Sequence, residues 1–133
     1  MADAVTSQTI QDGQNTAILK FTNVSDGTGE SAVKKVDVSA LEKNNKGESC
    51  TSVSISRIYW ACAGMGVNIE FDATSNVLAV GLPADSTGDE YYDLFTGIPN
   101  NAGSGVTGDI DFTTKGHSSG DTYSIILVLT KNY

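Results

Sequence analysis

Residues 121–131 read DTYSIILVLTK, and this stretch decides the fold. Positions 125–129 are all apolar, and Tyr, Ile and Val suit the pleated, packed surface of a strand. Apolar on both faces, the segment predicts a central strand covered from either side. It is far shorter than the ~20 apolar residues a membrane-spanning helix needs.

The neighbouring segments alternate. Residues 16–23 (TAILKFTN) put Ala17, Leu19 and Phe21 on one face and Ile18, Lys20 and Thr22 on the other. Residues 67–71 (VNIEF) turn Val67, Ile69 and Phe71 inward, and residues 109–113 (DIDFT) do the same with Ile110 and Phe112. Residues 32–38 (AVKKVDV) predict a strand with a charged outer face. Residues 51–61 predict a long strand in which Val53 and Ile55 share a face. Ile58, Tyr59 and Trp60 are consecutive there, so either both faces are covered or a bulge shifts the phase. Residues 76–82 form a further strand with Pro83 at its end, and residues 91–95 a short aromatic one.

Gly, Asn, Asp and Ser clusters mark the connections. Residues 84–90 (ADSTGDE) read as an acidic loop, and residues 97–108 (GIPNNAGSGVTG) are the most loop-like stretch. Residues 39–42 offer Ser39 as a cap with Glu42 three positions later, a signature of one helical turn. The pattern predicts an all-β, single-domain antiparallel β-sandwich or jelly roll of about eight strands. Residues 1–12, whose sizeable apolar groups are Val5 and Ile10, form an N-terminal arm or edge strand, and residues 13–133 form the sandwich domain.

The length of 133 residues suits one domain, and only 18% are charged against the ~25% usual in globular proteins. No Lys or Arg lies between Arg57 and Lys115, a stretch that carries Glu70, Asp72, Asp85, Asp89, Glu90, Asp93, Asp109 and Asp111. The remaining eight acids balance the eight bases, so the net charge of −8 originates in the middle of the chain. Such a surface repels phosphate, which argues against direct nucleic-acid binding and for a basic or neutral protein partner. The opening MADAVTSQTI has no basic region followed by an apolar run, so neither export nor a membrane anchor is expected. Cys50 and Cys62 flank the long strand. About 3.3 Å per residue would hold them roughly 40 Å apart, against the ~7 Å a disulfide allows. Two free thiols in a reducing compartment are expected.

Catalytic patterns fare poorly. Residues 116–120 (GHSSG) match the nucleophile-elbow spacing, but His117 sits beside Ser118 and a strand follows instead of a helix. A β-turn explains them better. Zinc lacks a ligand set, since His117, Cys50 and Cys62 have no paired spacing. For calcium, Asp109 and Asp111 share a strand face and could meet Asp85 or Asp89, although solvated surface acids are the plainer reading. Trp60 sits in a core strand, which weakens it as a sugar-stacking platform, and no phosphate-cradling loop is present. No catalytic, cofactor or metal residue is expected. Tyr91, Tyr92 and Phe95 stand among acids, packing on one reading and contacting a partner on the other. With Val5 and Ile10 they make up the candidate interface.

Several segments taken together carry a resemblance: residues 4–8 (AVTSQ), 19–23 (LKFTN), 25–31 (SDGTGES), 35–39 (KVDVS), 64–67 (GMGV), 71–74 (FDAT), 108–114 (GDIDFTT) and 128–131 (VLTK). The chain resembles small β-rich virion structural proteins of tailed bacteriophages, especially those of cyanobacterial and other marine hosts. That resemblance implies a non-enzymatic capsid decoration (cement) protein on the capsid exterior, made in the host cytoplasm. Its partners would be the major capsid protein and itself, as a trimer or dimer. No site residue carries over from it. The alternative is a tail, fibre or head-surface module that reads host glycans through residues 97–108 and the tyrosines.

Overall fold

The computed structural model describes residues 4–92 and 97–133. Among these, the strands are β1 (Ala4–Asp12), β2 (Thr16–Val24), β3 (Val33–Val36), β4 (Ser52–Ala63), β5 (Gly66–Phe71), β6 (Val77–Leu82), β7 (Ser86–Tyr91), β8 (Ile110–Lys115) and β9 (Thr122–Asn132). A single 3-10 turn spans Val38–Ala40. The strands make two antiparallel sheets, ordered β1-β2-β9-β4-β7 and β3-β8-β5-β6, in one all-β, jelly-roll-like sandwich.

Alternation builds the core. Leu19 and Phe21 of β2, Ile125, Leu127 and Leu129 of β9, and Ile55 and Ile58 of β4 point inward. They meet Val67, Ile69 and Phe71 of β5 and Ile110 and Phe112 of β8. Phe112 joins the layers, with its ring edge-on to Phe21 (5.3 Å between centroids) and to Tyr123 (5.8 Å). Burying each such side chain contributes roughly 1.5–3 kcal/mol. The 121–131 segment is central, as β9 lies between β2 and β4. In β4 a bulge at Ser56 resets the register from Ile55↔Leu129 to Arg57↔Val128. Val53 and Ile55 before it and Ile58 and Cys62 after it are therefore all buried.

Two local expectations are corrected. Residues 84–90 are not a loop, because Ser86–Tyr91 is the edge strand β7, paired with β4. An edge tolerates charge, Arg57 neutralises Asp89, and Asp85 takes the left-handed conformation (φ 54°) that turns the chain into the strand. Of the aromatic strand expected at 91–95, Tyr91 ends β7 and Tyr92 follows it, while Asp93, Leu94 and Phe95 lie outside the described residues. The turn at 39–42 starts earlier and is 3-10, capped by Asp37, whose Oδ1 accepts from the Ser39 N–H at 3.0 Å. Glu42 lies beyond the turn, and its N–H donates to Asp12 Oδ2 at 2.8 Å.

Two ionic groups sit inside. Lys131, with a side chain that is 0% exposed, donates from Nζ to Asp12 Oδ1 (2.6 Å), the Gly13 carbonyl (2.8 Å) and the Glu42 carbonyl (2.8 Å). All three ammonium protons are thereby used. The β1–β2 turn, the segment after the 3-10 turn and the end of β9 are tied at one point. Glu30 pairs with Lys35 and accepts from the Tyr123 hydroxyl (2.6 Å) and the Asn23 amide (3.1 Å).

Candidate functional site

The outer face of the five-stranded sheet is built by the residues that alternate with the core. Register places Gln8, Lys20, Ile126, Tyr59 and Asp89 in one row across β1, β2, β9, β4 and β7. The adjacent row contains Ile18, Val128, Arg57 and Tyr91. Ile18, Ile126, Val128 and Tyr59 are half-buried and Tyr91 is 58% exposed. An antiparallel sheet with one solvated face normally carries polar groups there. This one carries an apolar centre, and among the described residues no strand or helix packs over it.

Two adjoining grooves follow the face. One, of about 400 Å³, is lined by Lys20, Tyr59, Trp60, Thr87, Ser124 and Ile126 among others. The second, of about 300 Å³, includes Ile18, Arg57, Tyr59, Tyr91, Ile126 and Val128. Tyr59 and Ile126 belong to both. Arg57 is the fixed point: its guanidinium carbon lies 4.6 Å from the Tyr59 ring centroid and 4.8 Å from that of Tyr91. Asp89 holds it with two bonds, Nε to Oδ1 at 2.9 Å and Nη2 to Oδ2 at 2.6 Å. That forked hydrogen bond raises the guanidinium pKa further and holds the Asp89 carboxyl below its usual range. The result is a pre-ordered stack of two phenol rings and a neutralised cation on a flat apolar sheet. Such a surface suits stacking and desolvated contact.

Trp60 contributes to the rim only. Its ring lies across Gly88, where an added Cβ would come within 2.5 Å of Cζ2, and its indole N–H donates to Ser86 Oγ at 3.0 Å. The remaining sequence candidates are scattered. Val5 (40% exposed) and Ile10 (51%) lie on β1, at the opposite edge of the sheet from Tyr91. Tyr92 is half-buried against the core, its N–H bonded to the Ser56 carbonyl (2.9 Å), and burial pushes its hydroxyl pKa up. Phe95 lies outside the described residues. Residues 97–108 line neither groove and are fastened elsewhere: Ile98 exchanges backbone bonds with Ile55, and Thr107 Oγ1 donates to Asp72 Oδ2 at 2.7 Å.

The acids read as solvated surface are partly buried, which corrects that expectation. Asp109 and Asp111 are 5% and 3% exposed and do not meet Asp85 or Asp89, which belong to the β6–β7 turn and β7. Asp109 pairs with Lys34 (2.8 Å) and accepts from the Val38 N–H (2.9 Å). Asp111 Oδ2 accepts from the Asn76 amide (2.9 Å), while its buried Oδ1 has no hydrogen-bond donor. Burial, and then the adjacent Asp72 carboxylate, push the Asp111 pKa up to about 6. Among the described residues no group of three His, Cys, Asp or Glu is arranged to hold a metal. Residues 116–120 form the β8–β9 turn. There the Ser118 N–H donates to Asp121 Oδ2 (2.7 Å), and His117 Nδ1 pairs with Thr114 rather than Ser118.

The platform residues Ile18, Lys20, Arg57, Tyr59, Ile126 and Val128 escaped sequence reasoning. Their signal is present in the sequence: residues 121–131 are apolar on both faces, a pattern that fits a second face covered within the protein equally well.

No family model matches the chain, and no curated protein matches it. Solved structures do. A mutant of the family 29 carbohydrate-binding module CBM29-2, made to probe its ligand recognition, aligns with a TM-score of 0.50 at 12% identity. The alignment covers 94% of this chain and 91% of that one, and it is a likeness of fold. A cupin superfamily protein from Desulfitobacterium hafniense aligns with a TM-score of 0.34 at 12% identity, over 96% of this chain and 80% of that one.

Proposed function

We propose that this chain is a non-enzymatic virion structural protein of a tailed bacteriophage, a decoration protein that docks on the major capsid protein shell through the outer face of its five-stranded sheet. One observation carries the docking face: Ile18, Ile126, Val128 and Tyr59, from two adjacent rows, form an uncovered apolar patch around Arg57. Tyr and Arg are the side chains in which interfaces concentrate their energy. Asp89 fixes Arg57 before any partner arrives, so less rotamer freedom is lost on docking. The virion setting is supported by the segments that resemble phage structural proteins. The net charge of −8 favours a basic or neutral partner surface and attachment that weakens as salt rises.

The second reading, a host-glycan module of the tail, fibre or head, is favoured by the stacked Tyr59 and Tyr91 rings. It also draws on the fold shared with a carbohydrate-binding module. On that reading the ligand lies on the sheet face and not on residues 97–108.

The test is to add purified protein to capsids that lack it and image the mixture by cryo-electron microscopy. Regular density at symmetry positions, lost with Tyr59→Ala or Ile126→Asp at unchanged melting temperature, is the expected result. Each substitution should weaken attachment at least ten-fold, about 1.4 kcal/mol. Bare shells under every salt condition would end the capsid reading. Retention on host polysaccharide, abolished by Tyr59→Ala, would install the second.

A further inference from the structure

The four sheet edges are β1 and β7 in one layer and β3 and β6 in the other. An edge strand presents unpaired N–H and C=O groups, and proteins blunt such edges with charge, proline or brevity. β7 carries Asp89 and Glu90, β3 has four residues of which two are Lys34 and Lys35, and β6 runs six residues into Pro83. β1 is nine residues long (AVTSQTIQD), holds no proline, carries no charge before Asp12, and runs regularly from Ala4 to Thr9 before a bulge at Ile10. Asp12 itself is engaged by Lys131. Its described side chains from Val5 to Gln11 are exposed, and they include the apolar Val5 and Ile10.

We propose that β1 pairs with β1 of a second copy of this chain, antiparallel and centred on Gln8. Two molecules of charge −8 repel, and a seam free of charge is where they can approach. Centred there, Gln8 faces Gln8 and Ser7 faces Thr9 across the seam, and such side chains hydrogen-bond across antiparallel strands. A two-fold axis normal to the sheet relates antiparallel edges, so pairing is closed and stops at two. The same axis keeps both outer faces on one side. The product is a continuous ten-stranded sheet with two platforms side by side, a bivalent surface whichever partner the platform takes. The pairing is independent of the docking partner and stands or falls by itself.

Sedimentation velocity of the whole chain across a hundred-fold concentration range reads the mass. The wild type should run as a dimer, and Gln8→Lys, which sets two like charges opposite each other, should weaken dimerisation at least ten-fold with an unchanged far-ultraviolet circular dichroism spectrum. Mixing Gln8→Lys with Gln8→Glu should restore a mixed dimer. Gln8→Cys should form an intermolecular disulfide on mild oxidation, since Cys50 and Cys62 are buried. A wild type that stays monomeric throughout overturns the proposal. So does a dimer that ignores Gln8→Lys, or charge variants that fail to recover on mixing.

Discussion

Asp111→Asn should make the protein more stable at neutral pH. Asp111 stands on β8 with one oxygen accepting from Asn76 and the other buried beside Asp72 without a donor. Burial and the Asp72 charge raise its pKa from 3.8 to about 6. The folded protein thus holds a proton that the unfolded chain has already released. The stability linked to that proton is complete below pH 3.8 and is lost as pH rises through 6. At about 1.4 kcal/mol per pKa unit, two units make the ionised carboxylate cost about 3 kcal/mol at pH 7.5. Asn carries no charge to bury, keeps an acceptor for Asn76 and turns an N–H₂ toward Asp72. Urea unfolding of both proteins from pH 4.5 to 7.5 measures the difference, in which the other acids cancel. At pH 4.5, already above 3.8, the linked loss is about 1 kcal/mol, and by pH 7.5 it is about 3 kcal/mol, so the variant's lead should grow by about 2 kcal/mol across this range at equal m-value. A lead that does not change with pH, or a variant less stable at pH 7.5, would refute the reasoning.

Other consequences are equally direct. Asp12→Ala strands a buried ammonium and should cost about 3 kcal/mol, whereas adding Lys131→Met to it removes the charge and should recover part of the loss; thermal melts of the cycle decide this. Gly88→Val pushes a side chain into the Trp60 ring and should cost roughly 1–3 kcal/mol, with a shift in the emission of this single tryptophan. Burial raises the thiol pKa of Cys50 and Cys62, so iodoacetamide should label neither in the native protein and both in urea; rapid native labelling would contradict the packing.

The core was legible where polarity alternates. In residues 16–23, 67–71 and 109–113 the inward face can be read residue by residue, and it is the face the sandwich buries. The phase change in β4 was legible as a choice, and the bulge at Ser56 resolves it. Strand β7 was not legible, because its Gly88, Asp89 and Glu90 look like a loop until Arg57, 32 positions away, is seen opposite them. The burial of Asp111 was hidden for the same reason, since it depends on Asn76 and Asp72, contributed by the turn after β5. The platform was concealed by an ambiguity of the pattern: a strand apolar on both sides looks the same whether its second face meets the protein's own layers or is left for another molecule.

Strand β9 sits at the middle of its sheet, yet it is made after all the strands it organises. Neither β2 nor β4 has its shared neighbour until residues 122–132 have left the ribosome, so this layer assembles only once they are synthesised. Ile126 and Val128, which complete the platform, arrive in the same stretch. Before they emerge, a nascent chain lacks two of the platform's central side chains. The face is completed in one step, with the insertion of the central strand.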